Sequence, residues 1–154
     1  MASILASFIK LLNETNGYRL DLSKSGFDSR LRLQKYVFLA ETLGINIGYK
    51  FNLYLYGPYS IGLAKAYYNI TKDEIDASSN LHDTFDTDTF LSLIADKDSM
   101  WLEAAATLKS IYEFNSGITE ENLIDHVNSI KPKFKKEYLI QVLTEVRSTL
   151  SILY

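Results

Sequence analysis

The first apolar rhythm in the chain is helical. Ile4, Phe8, Leu11 and Leu12 fall on one face of a segment over 3–13, with Ser3 placed to cap it and Asn16-Gly17 to stop it. The stretch 14–27, punctuated by Asn16-Gly17 and Ser25-Gly26 around Tyr18, Leu20 and Leu22, reads as a loop. A second helix follows, capped by Asp28 or Ser29 and ending near Leu43, where Gly44 supplies the stop. Leu33, Tyr36, Val37, Ala40 and Leu43 form its apolar stripe, and Phe38 and Leu39 widen it, so its C-terminal half is expected to be buried nearly all round. Its N-terminal half carries Arg30, Arg32, Gln34 and Lys35 instead. Exposed cations there oppose the helix dipole by about 0.3–1 kcal/mol each, which asks for a compensating anion or a carboxylate from elsewhere.

From Tyr49 to Tyr56 the period changes to two, with Tyr49, Phe51, Leu53 and Leu55 on one face and Lys50, Asn52, Tyr54 and Tyr56 on the other. Gly57-Pro58 is expected to end this strand, because proline has no N–H for a ladder. Ser60 then caps a helix carrying Ile61, Leu63, Ala64, Tyr67 and Tyr68. Residues 71–89 are acidic and turn-rich and read as a surface connection, with a short strand around Leu81 to Phe85 available to pair with 49–56. Helices are expected near 88–96, from Ser99 to about Phe114, from Thr119 to Ile130 and from Phe134 to Leu153, the last two separated by Pro132.

Composition narrows the classes. Leu, Ile, Val and Phe together make up 31% of the 154 residues, well above the roughly 20% below which chains stay disordered. The absence of cysteine excludes disulfides, thiolate metal sites and thiol catalysis. No run approaches the ~18 apolar residues that cross a bilayer, and the first ten residues lack the basic flank of a secretory signal. The expectation is a single cytoplasmic domain over 1–154, interrupted by the acidic connection at 71–89.

The net charge of −3 is unevenly placed. Residues 1–72 carry nine Lys/Arg against four Asp/Glu, residues 73–98 one against eight, and residues 99–154 six against seven. A basic N-terminal half permits a local phosphate-binding surface. Two cationic sets compete for that role: Arg30, Arg32 and Lys35 with Gln34, joined by Arg19 and Lys24, and Lys131, Lys133, Lys135 and Lys136 around Pro132. The first is favoured because it combines arginines, a glutamine and a helix N-terminus; plain solvation is the simpler explanation of both.

Catalysis has no support in the motifs. His82 and His126 lack a second ligand at metal spacing, and Gly-x-Ser-x-Gly, Walker and Gly-x-Gly-x-x-Gly patterns are missing. No catalytic residue, metal ligand or cofactor site is therefore assigned. The aromatic cluster says more: six of the eleven tyrosines fall between Tyr49 and Tyr68. Alternation turns Tyr54 and Tyr56 away from Phe51, Leu53 and Leu55, so Tyr54, Tyr56 and Tyr59 are candidate partner-binding residues, unless helices cover both faces of the sheet.

The run Arg30-Leu31-Arg32-Leu33-Gln34-Lys35-Tyr36-Val37-Phe38-Leu39, then Tyr49-Lys50-Phe51 and Leu53-Tyr54-Leu55-Tyr56-Gly57-Pro58-Tyr59-Ser60, resembles the YwgA-like group of small prokaryotic proteins and, more distantly, the Panacea antitoxin domain. Arg32-Leu33-Gln34-Lys35 matches the group's Lys-Leu-Gln-Lys helix with one substitution, Gly57-Pro58-Tyr59-Ser60 matches its turn, and Ile130-Lys131-Pro132-Lys133-Phe134 falls within a stretch like its closing helices. The resemblance covers the chain outside 71–98. It implies a mainly α fold with a small β-sheet, a winged-helix-like core with additional C-terminal helices, and action by binding. The same motif has a structural reading: Leu33, Tyr36 and Val37 pack the core, Gln34 satisfies strand or loop backbone, and Gly57-Pro58 fixes the turn.

Two functions remain open. One is a regulatory or adaptor protein, antitoxin-like, holding a protein partner with the tyrosine-rich strand and the acidic 73–88 segment. The other is a winged-helix DNA-binding regulator, a homodimer, placing Arg30, Arg32, Gln34 and Lys35 on phosphates or bases.

Overall fold

In the computed structural model, residues 4–15, 19–79, 81 and 85–153 are described. They form a mainly helical fold with one two-stranded antiparallel sheet. In chain order the elements are α1 (Ile4–Thr15), α2 (Phe27–Thr42), β1 (Asn52–Tyr54), β2 (Gly57–Tyr59), α3 (Ile61–Asn69), α4 (Lys72–Asp76), α5 (Thr87–Ile94), α6 (Ser99–Phe114), α7 (Glu120–Ile130) and α8 (Lys136–Val146). The expected cap at Ser3, the stop at Asn16-Gly17 and His82 lie outside the described residues.

Two helices without a polar face make the centre. In α6 every residue from Trp101 to Ile111 is buried, and in α2 every residue from Leu33 to Ala40. Helices enclosed all round must be covered by neighbours, and α6 packs against α2, β2, α7 and α8. Phe8 from α1 meets Phe90 from α5 at 5.4 Å between ring centroids, and Phe90 also meets Phe85 and Tyr36, which ties the N-terminal helix to the middle of the chain. One hydrophobic cluster runs from Leu5 to Ile152.

Several boundaries depart from the pattern. Helix α2 starts one residue before Asp28, behind Gly26, which caps without a side chain. A β-carbon on Gly26 would lie 1.7 Å from the Asp21 carbonyl oxygen, so only glycine fits beneath that loop. Ser29 serves the loop instead, its Oγ accepting from Asp21 N at 2.8 Å. The acidic connection is partly ordered: Thr71 and Glu74 form a reciprocal capping box that starts α4, and Asp86 caps α5 through Thr89 N. The last helix stops at Val146 rather than Leu153, and Lys109 Nζ, donating to Leu150 O at 2.7 Å, fastens the segment beyond it to α6.

The strand over 49–56 is corrected most. Only Asn52–Tyr54 is paired, and its partner is not 81–85 but Gly57–Tyr59, in the register Asn52–Tyr59, Leu53–Pro58 and Tyr54–Gly57 around a two-residue turn at Leu55-Tyr56. Leu81 and Phe85 lie in irregular chain, and 82–84 are outside the described residues. Gly57-Pro58 therefore opens a strand rather than ending one. In a hairpin of this loop length the pair beside the turn is the hydrogen-bonded one, so Leu53–Pro58 is the non-bonded pair, where a missing N–H costs nothing. Gly57 takes φ +94, a conformation side chains resist, with Thr107 Oγ1 3.0 Å from where its β-carbon would stand.

Candidate functional site

The short hairpin cannot stand alone, since a two-stranded ribbon is marginal in water. Three side chains inside the protein grip its backbone. Gln34 clasps Ser60 from both sides: its Nε2 donates to Ser60 O at 2.9 Å and its Oε1 accepts from Ser60 N at 2.8 Å. Lys35 Nζ donates to Pro58 O at 2.9 Å, on the side of the strand that the ladder leaves unpaired. Lys131 Nζ reaches across from the α7–α8 corner and donates to Leu55 O at 2.6 Å. Tyr67 extends the clasp, its hydroxyl hydrogen-bonded to Gln34 and Tyr59; burial and the Tyr59 bond raise its ionisation above the ordinary tyrosine range.

Glu103 of α6 balances the lysines. Its Oε1 accepts from Lys133 Nζ at 2.8 Å and its Oε2 lies 3.0 Å from Lys131 Nζ, a contact held by charge because it is off hydrogen-bond alignment. Lys35 feels the same carboxylate. The two cationic sets that compete along the sequence thus converge in space: Lys35 from one and Lys131 and Lys133 from the other surround a single buried carboxylate.

This arrangement places two of the four candidate nucleic-acid contacts inside the protein. Gln34 is 0% exposed and Lys35 2%, and both are committed to the backbone of the hairpin and Ser60, so neither faces a phosphate or a base. Arg32 is held by Asp28 at 2.8 Å and by Lys97 O at 3.3 Å. Asp28 is the carboxylate that the cationic start of α2 requires. Arg30 donates to Ser23 O and lies over the rings of Phe27 and Tyr68, at 5.9 and 5.7 Å from their centroids. In the second set Lys131 is also buried, and Lys136 pairs with Asp125 at 2.8 Å.

Outside the clasp the hairpin is bare. Tyr54 and Tyr56 are exposed and Tyr59 is half-buried, but Leu53 and Leu55, expected to face inward, are exposed as well, Leu55 at 78%. The β1 face and the turn project from the core because three paired residues are too few to lie across it. Tyr54 and Tyr59 meet edge to face at 5.7 Å. Tyr56 meets Phe27 at 5.6 Å and receives Lys133 Nζ over its ring at 5.8 Å. A contiguous surface therefore runs Leu55, Tyr56, Phe27, Arg30, Tyr68. Phe27 and Tyr68 were not readable as site residues, since an aromatic at a helix start or on a helix face ordinarily packs inward. Glu103 did leave a signal: it is the one charge in the otherwise apolar run from Trp101 to Ala106.

Burial without a full counter-charge pushes the Lys35 ammonium down from 10.5 to about 7, Lys131 and Lys133 adding to the effect and Glu103 opposing it. The unfolded chain then binds the proton more tightly than the folded one between these values. Relative to Lys35→Met, the wild type is expected to gain stability as pH rises from about 7 to 10.5, by up to about 5 kcal/mol. Urea titrations at several pH values check this; a pH-independent difference contradicts it.

His126 is exposed, and no group of three metal-ligating side chains occurs among the described residues. Nor is any helix among them long and apolar enough to cross a membrane. No family model, curated protein or solved structure matches the chain.

Proposed function

We propose that the chain is a non-enzymatic regulatory or adaptor protein, antitoxin-like and built on a winged-helix-like core, that works by holding a protein partner on the hairpin surface. One observation carries this reading: large apolar side chains stand in water along a connected path whose backbone is fastened rigidly from within. Phe27 is 51% exposed, Tyr68 54% and Leu55 78%. Contiguous exposed aromatic surface of this kind marks interaction sites, and aromatic side chains held in place lose little entropy on binding. The likeness of the Gln34-Lys35 and Gly57-Pro58 motifs to the YwgA-like group supports the same reading, since in this fold those motifs build the hairpin's support. The DNA-binding alternative loses ground because the support uses up two of its four contact residues.

Leu55→Asp separates binding from folding. Leu55 is an exposed turn residue whose side chain supports nothing, so its replacement is expected to shift unfolding free energy by no more than ~0.5 kcal/mol. Partner binding is expected to fall at least tenfold. Affinity purification of wild type and variant from the native host measures it. A stoichiometric partner recovered with the wild type and lost with Leu55→Asp supports the proposal; wild-type protein recovered alone contradicts it.

A further inference from the structure

The hairpin surface is not uniformly apolar. Between α2, the turn and α6 lies a pocket of about 220 Å³ whose walls are Phe27, Leu31, Tyr56 and Met100. Lys35, Glu103 and Lys133 line the same pocket. Asp28 also borders it, but Arg32 neutralises that carboxylate at 2.8 Å. What remains is two ammonium groups, Lys131 and Lys133, with the partly charged Lys35 amine, around the one carboxylate of Glu103. The pocket is therefore short of negative charge, in surroundings where a buried charge gains strongly from a partner. Sites for drug-sized ligands run to roughly 300–1,000 Å³. At about 220 Å³, this one suits side chains from a docked segment.

We propose that this pocket receives an aspartate or glutamate side chain of the partner protein, its carboxylate directed at Lys133 and a neighbouring apolar side chain seated against Phe27, Tyr56 and Met100. The inference rests on the interaction-surface reading and adds the partner's chemistry to it. Lys133, nearly half-exposed, meets the incoming carboxylate first and is free to turn from Glu103, which keeps Lys131. A nucleic-acid backbone fits poorly: it needs a row of outward cations, and here Lys35 and Lys131 are inside. The apolar walls likewise favour a peptide, whose acidic residue can be flanked by a hydrophobic one.

Selection of random twelve-residue peptides displayed on phage against the folded full chain tests the inference. Enriched sequences are expected to carry Asp or Glu beside Leu, Ile, Met or Phe. For a synthetic peptide of that type, changing the acid to its amide is expected to weaken binding at least tenfold, and Lys133→Met in the protein to do the same, with an unchanged circular dichroism spectrum. Lys133→Glu, which reverses the charge, is the paired variant and is expected to weaken binding further. Acid-free peptides whose binding is lost in Leu55→Asp overturn the charged pocket while leaving the hairpin surface standing. Peptides indifferent to both Leu55→Asp and Lys133→Met overturn both, and so does a selection that enriches nothing. Displacement of the acidic peptide by duplex DNA, or its replacement by a micromolar dimer of this chain, overturns the assignment to a partner protein's carboxylate.

Discussion

Replacing Gln34 with leucine is expected to destabilise the protein by about 1–3 kcal/mol, although leucine fits the apolar stripe of α2 better than glutamine does. The reason is what the substitution leaves behind. Gln34 is fully buried, accepts from Ser60 N and donates to Ser60 O, a carbonyl that also accepts from Ala64 N at 3.1 Å at the start of α3. Leucine would strand the Ser60 N–H in the interior, unfavourable by ~1–3 kcal/mol, while the Ser60 carbonyl keeps only its bond from Ala64 N. The Tyr67 hydroxyl also loses a partner. Gln34→Glu is informative beside it: Oε1 still accepts from Ser60 N, but the second oxygen meets the Ser60 carbonyl and repels it. Urea denaturation is expected to rank wild type above both variants. A Gln34→Leu protein as stable as wild type would contradict the clasp.

The second large effect is expected at Glu103. Glu103→Leu keeps α6 helical and apolar, yet leaves the buried Lys131 ammonium with only the Leu55 carbonyl and removes the group that draws charge onto Lys35. Breaking a buried ion pair from one side typically destabilises by about 3–5 kcal/mol, because a charge is left without its counterpart. The sign of the pH dependence distinguishes this cause from simple loss of packing. Without Glu103 the Lys35 ammonium holds its proton still less well in the folded state, while in the unfolded chain it titrates near 10.5. The deficit relative to wild type is therefore expected to be largest well below neutrality and to shrink as pH rises to about 7, above which Lys35 is neutral in both folded proteins and the deficit levels off. A deficit that stays constant as pH falls below 7 would mean that Glu103 acts through packing alone.

The periodic signals were faithful where a single helix decides them. Helix α6 spans Ser99–Phe114, as the pattern predicts, because its cap at Asp98 and its Asn115-Ser116-Gly117 exit are local features. The backbone-satisfying role of Gln34 was also readable: an amide on an otherwise apolar stripe must find polar partners inside. The hairpin was not, since Pro58 argues against a ladder unless the turn length is known, and turn length follows from how the chain is held. The lysine cluster lay furthest from view. Lys35 belongs by spacing to a cationic collar with Arg30 and Arg32, and Lys131 and Lys133 flank a proline as solvated lysines commonly do. Only packing of α2 and the α7–α8 corner on α6 brings them to Glu103, across separations of 68, 28 and 30 residues. Tyr54 and Tyr56 were placed outward by alternation; that Leu53 and Leu55 join them follows from the hairpin's shortness, which no period encodes.

Site-specific photo-crosslinking in the native host tests the central claim most directly. A photoreactive phenylalanine analogue at position 55, on the turn, is compared with the same group at position 140, exposed on α8. The account predicts one discrete protein adduct from position 55, abolished when Lys133→Met and Phe27→Ala are added, and none from position 140. An adduct from position 140 alone, or a turn that captures no protein at any expression level, would contradict the account.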